Sequence, residues 1–173
     1  MIIEALLISQ PYSGEYSERI YDKESVWNSQ NWTFIKFTND DYSEWCGQFR
    51  GMPGEVAISK QNRTVLVLTS DYLFELDLKT ANLIDIEDQP PYKNLTVAPN
   101  GDFILADYYN FDKITTTIKE KESIESPIQM DMIEFKKWDD EKLKFTCNEF
   151  LNLPRHLTMT YNIQTNKIEI KNG

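Results

Sequence analysis

Apolar and polar side chains alternate along much of this chain, and a two-residue period carried by β-branched and aromatic residues predicts strands rather than helices. Tyr72, Phe74, Leu76 and Leu78 share one face of an extended segment, with Glu75 and Asp77 on the other. That pattern predicts a half-buried strand. Past Lys79 and Thr80, Ile84 and Ile86 continue the apolar face while Asp85 points away, which completes a hairpin. The preceding TVLVL at 64 to 68 is apolar on both parities, as expected of a central strand covered on both faces. EVAIS at 55 to 59 comes before it across a polar turn, so the four pieces form an antiparallel meander.

The same rhythm returns downstream. Leu95 and Val97 lead into Pro99-Asn100-Gly101, a turn in which Pro presets φ and Gly accepts φ > 0, and Phe103 and Leu105 follow in phase. Ile114, Thr116 and Ile118 alternate next, then the polar run KEKESIES reads as a loop. Ile128, Met130 and Met132 share one face whereas Ile133 and Phe135 take the other parity, so a β-bulge near Met132 is expected to return both sets to the core. Leu143, Phe145 and Cys147 form a further strand, and NEFLNL at 148 to 153 reads as one helical turn before Pro154. Leu157, Met159, Tyr161 and Ile163, answered by Ile168 and Ile170 across a polar turn, predict a hairpin. At the other end MIIEALLISQ reads as a buried strand and WTFIKF at 32 to 37 as another. SGEYSERIYDKESVW reads either as a short helix capped near Ser13 with Tyr16, Ile20 and Trp27 on one side, the favoured reading, or as an irregular region.

The stretches AISKQNRTVLVLTSDYLFELDLKT and LTVAPNGDFILAD resemble β-propeller repeats: an apolar strand, a polar turn, a second apolar strand, then a strand ending in Asp-Leu-x-Thr. Closing a propeller takes at least about four blades of roughly 40 residues. With 9 to 31 and 119 to 127 read as irregular, this chain falls short of that number. The expectation is therefore one domain over residues 1 to 173, all-β or mainly β. In it an antiparallel meander forms a twisted sheet, sandwich or partly closed barrel, with one or two short helices.

A chain of 173 residues buries enough surface to stand without disulfides or metals. Cys46 and Cys147 lie far apart with no second cysteine near either, so neither a zinc clip nor a redox pair is expected, and both read as core thiols. The apolar opening run is short and carries Glu4, and no run of eighteen apolar residues follows, so a signal peptide or membrane span is not expected and the location is read as cytoplasmic. Charge alters the picture more. The net charge is −10, and residues 1 to 120 carry 19 acids against 10 bases. Such a surface repels phosphate backbones and attracts a basic protein.

Catalytic signals are few. His156 is the single histidine, next to Arg155 and without a nucleophile pattern, and it reads as structural or surface-exposed. Asp40, Asp41, Glu44, Asp71, Asp107 and Asp112 are the acids considered for a glycosidase-type pair, and Asp107, Asn110 and Asp112 depart from the spacing of a calcium loop. No catalytic residue, metal ligand or cofactor is assigned. The more informative feature is aromatic rings set among acids, in DDYSEW (40 to 45), SDYLFEL (70 to 76), IEDQPPY (86 to 92) and ADYYNFD (106 to 112). Tyr and Trp supply stiff contact area, and flanking carboxylates pair with Lys or Arg. The partner-binding candidates are Asp71, Asp85, Glu87, Asp88, Asp107, Tyr108, Tyr109 and Asp112.

In this general character the chain resembles bacterial toxin immunity proteins of the contact-dependent growth inhibition type. The resemblance implies a non-enzymatic protein, monomeric when free, that neutralises a basic toxin domain of nuclease type. Two alternatives stay open: a carbohydrate-binding or carboxylate-based glycan-active module, and a propeller-related scaffold completed by another chain.

Overall fold

The computed structural model describes residues 1–26 and 28–172, and among them sixteen strands form and no helix does. The strands fall into four sheets of four. Contacts divide the chain into two compact units, Met1–Pro90 and Pro91–Gly173, each holding two of the sheets. No helix among the described residues is long and apolar enough to cross a membrane.

In the first unit one sheet contains β1 (Ile2–Ile8), β2 (Ser17–Tyr21), β3 (Trp32–Asn39) and β4 (Glu44–Arg50) in the order β1-β3-β4-β2. β2 runs parallel to β4, and the other pairs are antiparallel. The second sheet is a simple meander of β5 (Pro53–Ser59), β6 (Thr64–Thr69), β7 (Tyr72–Asp77) and β8 (Leu83–Asp88). The two sheets share one core. Phe49 stacks on Tyr21 with centroids 4.6 Å apart and meets Phe74 edge-on at 5.1 Å, joining β4 to β7 through aromatic contact. Gly47 makes room for this arrangement: a Cβ there would lie 2.6 Å from Phe49 Cε2 and 2.8 Å from Phe37 Cε2.

The second unit repeats the plan with two meanders, β9 (Asn94–Val97), β10 (Phe103–Ala106), β11 (Phe111–Ile114), β12 (Lys121–Ile124), then β13 (Met130–Asp139), β14 (Lys142–Glu149), β15 (Asn152–Asn162) and β16 (Lys167–Asn172). Phe111 is fully buried and its ring lies 4.7 Å from Phe145 and 5.1 Å from Phe135, so it links the two sheets. Asn94 supplies a polar link, because Nδ2 donates to the Ile133 carbonyl at 3.0 Å and Oδ1 accepts from Phe135 N–H at 3.0 Å.

The all-β class and the packed-sheet core agree with the sequence pattern, and so does the bulge at Met132, where the β13–β14 register shifts and φ is 54°; it returns Met130 and Ile133 to the core, but Met132 itself is 57% exposed. Four readings need correction. The helix expected over 13 to 27 is a turn followed by β2, and Trp27 lies outside the described residues. The helical turn at 148 to 153 is the β14–β15 turn, with Leu151 at φ 60°. β1 is a strand, but Leu6 and Leu7 are 45% exposed, as befits an edge position. β7 is buried on both faces, with Glu75 only 2% exposed.

The two stretches read as irregular each contain an edge strand, β2 and β12. In β2 only Tyr21 is buried and in β12 only Ile124, so one covered side chain in each leaves little alternation to detect.

Candidate functional site

In the second unit, three chain reversals lie at one end of its sheets: the β10–β11 turn at 107 to 110, the β12–β13 link at 125 to 129 and the β14–β15 turn at 150 to 151. Backbone hydrogen bonds tie them together. Phe150 N–H donates to the Gln129 carbonyl at 2.9 Å, and Ile133 N–H donates to the Tyr108 carbonyl at 3.3 Å. The first turn is shaped by Asp107, whose Oδ1 accepts from Tyr109 N–H at 2.5 Å and from Asn110 N–H at 2.6 Å. Asp, which readily hydrogen-bonds the backbone two and three residues on, is well suited to this position.

This turn throws both tyrosines outward. Tyr109 is 49% exposed and sits 6.3 Å from the Tyr108 ring and 6.0 Å from Phe150, itself 39% exposed. Met132 and Leu151 are exposed at the same end, and Leu151 is 87% exposed. Among the described residues six large apolar side chains of this unit are exposed; five belong to this cluster and Ile170 is the sixth. Between the reversals lies an open groove of about 690 Å³, within the usual size range of ligand clefts. Tyr109, Ile124, Ile128, Met130 and Phe150 give it apolar walls.

The acidic candidates are arranged differently. Asp71, expected on a partner surface, is 7% exposed and accepts hydrogen bonds from Ser70 Oγ at 2.6 Å and Ser29 N–H at 2.7 Å. Burial opposes its charge, yet the Ser70 and Ser29 hydrogen bonds prevail and hold its carboxyl below the usual aspartate value. It pins the β2–β3 link to the β6–β7 turn. Asp85 and Glu87 are half-buried on β8, and Asp88 is exposed and pairs with Lys23 at 2.7 Å. Asp112 accepts from Tyr92 Oη and Ser123 Oγ, each at 2.7 Å, and so braces β11 against its neighbours. It is thereby turned to a structural task, while Asp107 and Asn110 are engaged in their own turn. Among the described residues no group of three or more His, Cys, Asp or Glu is placed to hold a metal ion.

The other acids considered for paired chemistry are also engaged, Asp40 with the N-terminal ammonium at 2.7 Å and Glu44 with Lys36 at 2.8 Å. Asp41 accepts from Ser43 Oγ at 2.6 Å, and that bond lowers its pKa. His156 is exposed, with Nδ1 2.5 Å from Asn148 Oδ1. Residues 1 to 90 carry 15 acids and 7 bases, and residues 91 to 173 carry 13 and 11. The excess negative charge therefore belongs to the first unit and the exposed aromatic cluster to the second.

Tyr108 and Tyr109, expected on a partner surface, are both exposed. Phe150, Leu151, Met132 and Ile128 were not expected there. The available signal at 150 to 151 was a pair of adjacent apolar residues between polar ones just before a proline, a poor fit to either a strand face or a core turn.

No protein-family model matches the chain, and no curated protein does. Among solved structures, the chain is similar to one in the S. cerevisiae complex of a Dbp5 variant with Nup159, a Gle1 variant, IP6 and ADP. That match has 7% identity and a TM-score of 0.47, and it covers 89% of this chain and 43% of that one. The chain thus spans less than half the length of that relative.

Proposed function

We propose that this protein is a non-enzymatic, acidic binding protein that neutralises a basic protein partner, in the manner of a cytoplasmic immunity protein blocking a nuclease-type toxin. One observation supports the reading above others: in the second unit, exposed aromatic and aliphatic side chains gather where three turns converge, while the other described large apolar residues of that unit, Ile170 apart, are buried or half-buried. Contiguous exposed apolar patches on a stable domain mark interaction sites, and aromatic anchors dominate interface energies. The negative field of the first unit adds long-range attraction for a cationic partner and accelerates encounter at low salt. The carboxylates Asp71, Asp107 and Asp112 serve turns and strand pairs, which favours binding over chemistry.

The test is stoichiometric inhibition. The protein is immobilised in low salt, source-cell lysate is passed over it, and bound protein is eluted with a salt gradient. A basic protein that elutes late and loses its enzymatic activity on addition of one equivalent of this chain is the expected result. Elution of acidic or neutral proteins alone, or a captured nuclease that stays fully active, refutes the proposal.

A scaffold reading has its own observation. Three of the four sheets are four-stranded meanders in sequence order, the arrangement of a propeller blade, which favours a propeller-related protein completed by further chain or by a partner. Sedimentation distinguishes it, because a scaffold of this kind self-associates or exchanges strands while an inhibitor stays monomeric when free.

A further inference from the structure

We propose that the groove of the second unit is the docking point for one apolar side chain carried on a Lys- or Arg-bearing segment of the partner. The inference rests on the binding reading above and locates its anchor. Its first support is the lining. Tyr109 and Phe150 stand at the mouth with Ile128, Ile124 and Met130 inside, so an aromatic or leucine-sized side chain entering there removes apolar surface on both partners from water.

The second support is the exposed apolar turn beside the groove. Leu151 and Met132, just past the lining residues Phe150 and Met130, adopt left-handed backbone conformations at φ 60° and 54°, which residues with a β-carbon disfavour. Other reversals place Gly101 and Asn166 in this conformation, which suits them, and also Tyr42, Arg63 and Ala81. Leu151 is 87% exposed, so burial returns almost nothing to the fold. A solvated leucine next to Phe150 extends the apolar surface available to a partner seated in the groove.

Charge selects the occupant. Glu125 lines the groove, and Asp107, Asp112, Glu122, Asp131 and Glu149 lie within two residues of its lining. Against these six carboxylates stand four bases: Lys121, two residues from Ser123; Lys113, paired to Glu122 at 2.9 Å; Lys93, whose Nζ is 5.8 Å from the Tyr108 centroid; and Arg155, paired to Glu149 at 3.1 Å. The rim is therefore net acidic, and a segment that flanks its apolar anchor with lysine or arginine is attracted where an acidic one is repelled. Lys136, Lys137, Lys142 and Lys144 flank the Asp140-Glu141 turn at the far end of β13, about 20–30 Å away at the usual strand rise, and do not offset this field.

The experiment is chemical-shift mapping on the full chain with four probes. They are acetyl-Lys-Lys-Phe-Lys-Lys-amide, its Lys-Lys-Ala-Lys-Lys and Glu-Glu-Phe-Glu-Glu counterparts, and cellohexaose. The Lys-Phe peptide is expected to give saturable shifts at Tyr109, Ile128 and Phe150 below about 5 mM. The alanine peptide should bind about fivefold more weakly or worse, and the glutamate peptide should leave these signals unmoved. Phe150→Ser and Tyr109→Ala should each weaken the Lys-Phe peptide about tenfold, the weight of an anchor contact. Glu125→Lys, which leaves the apolar walls intact, should weaken it as well.

Shifts confined to Asp85, Glu87 and Asp88 overturn the groove assignment while leaving the acidic binding reading standing. Saturable binding of cellohexaose at Tyr109 and Phe150 overturns it in favour of sugar recognition. Absence of any saturable groove shift overturns it too. Failure of the proposed function is read separately, in the inhibition assay.

Discussion

Arg50 meets Asp22 edge-on, with Nη2 2.6 Å from Oδ2 and Nε 3.0 Å from Oδ1. The same guanidinium donates to the Ser29 carbonyl at 3.2 Å and lies 3.9 Å from the Trp32 ring centroid. One side chain from the end of β4 thus fastens the long β2–β3 link at two points and covers the first residue of β3. This explains how β2, a short edge strand with one buried residue, keeps its parallel register beside β4.

Arg50→Ala removes the fork, the carbonyl contact and the ring contact together, and is expected to destabilise the first unit by about 2–3 kcal/mol in urea unfolding. Arg50→Lys should recover only a part of that, since an ammonium cannot reproduce the fork. The Arg50 hydrogen bond holds the Asp22 carboxyl below its usual value. A carboxylate whose folded pKa is depressed stabilises the fold above its unfolded pKa, and that stability is lost as pH falls through the folded value. Thermal scans should therefore show a flat midpoint from about pH 7 to 5 and a decline below about pH 4, and Asp22→Asn should make the decline shallower.

Asn94 is buried and satisfies both Ile133 and Phe135 beside the Met132 bulge. Replacing it with alanine strands a carbonyl and an amide in the second unit's core, which should cost about 2 kcal/mol. Asn94→Asp keeps the acceptor for Phe135 but loses the donor to Ile133 and buries a charge, so it should be no better. Hydrogen exchange at Phe135 checks both variants, with faster exchange expected.

Cys147 is buried among Leu157, Met159 and Phe145, and burial pushes its thiol up to about 11. Burial raises Cys46 as well. Because the thiolate is the reactive form, both cysteines should resist a disulfide-exchange reagent at pH 8 in the folded protein and react quickly in denaturant. Rapid native-state labelling at Cys147 contradicts this placement.

Leu151 supplies the clearest separation of stability from binding. Leu151→Asn relieves left-handed strain at an exposed turn and should raise unfolding stability by about 1 kcal/mol, while weakening the partner complex. Calorimetry of the free protein and titration of the complex give the two numbers, and a variant that gains in both argues against a role for this leucine at an interface.

Strands with a covered face were readable as such, because alternation is a local consequence of the pleat: Tyr72, Phe74 and Leu76 recur on one parity wherever β7 pairs. The same holds for the Met132 bulge, since two apolar sets of opposite parity in one strand meet one core only through an extra residue. Asp71 escaped the reading because its partner Ser29 is 42 residues away, and sequence parity carries no information on which turn reaches which strand.

What the sequence determined by itself is the all-β class, the meander of β5 to β8, the terminal hairpin and the concentration of acids in the first part of the chain. Tertiary structure alone decided that sixteen strands divide into four sheets, that Asp71 and Asp112 brace the fold, and that Tyr109 and Phe150 meet at 6.0 Å across 41 positions of sequence. The division has a physical reason. A strand's period is set by its own backbone, whereas sheet membership, burial of a carboxylate and convergence of turns depend on which distant segments pair, and those choices are fixed by the free energy of the whole packed chain.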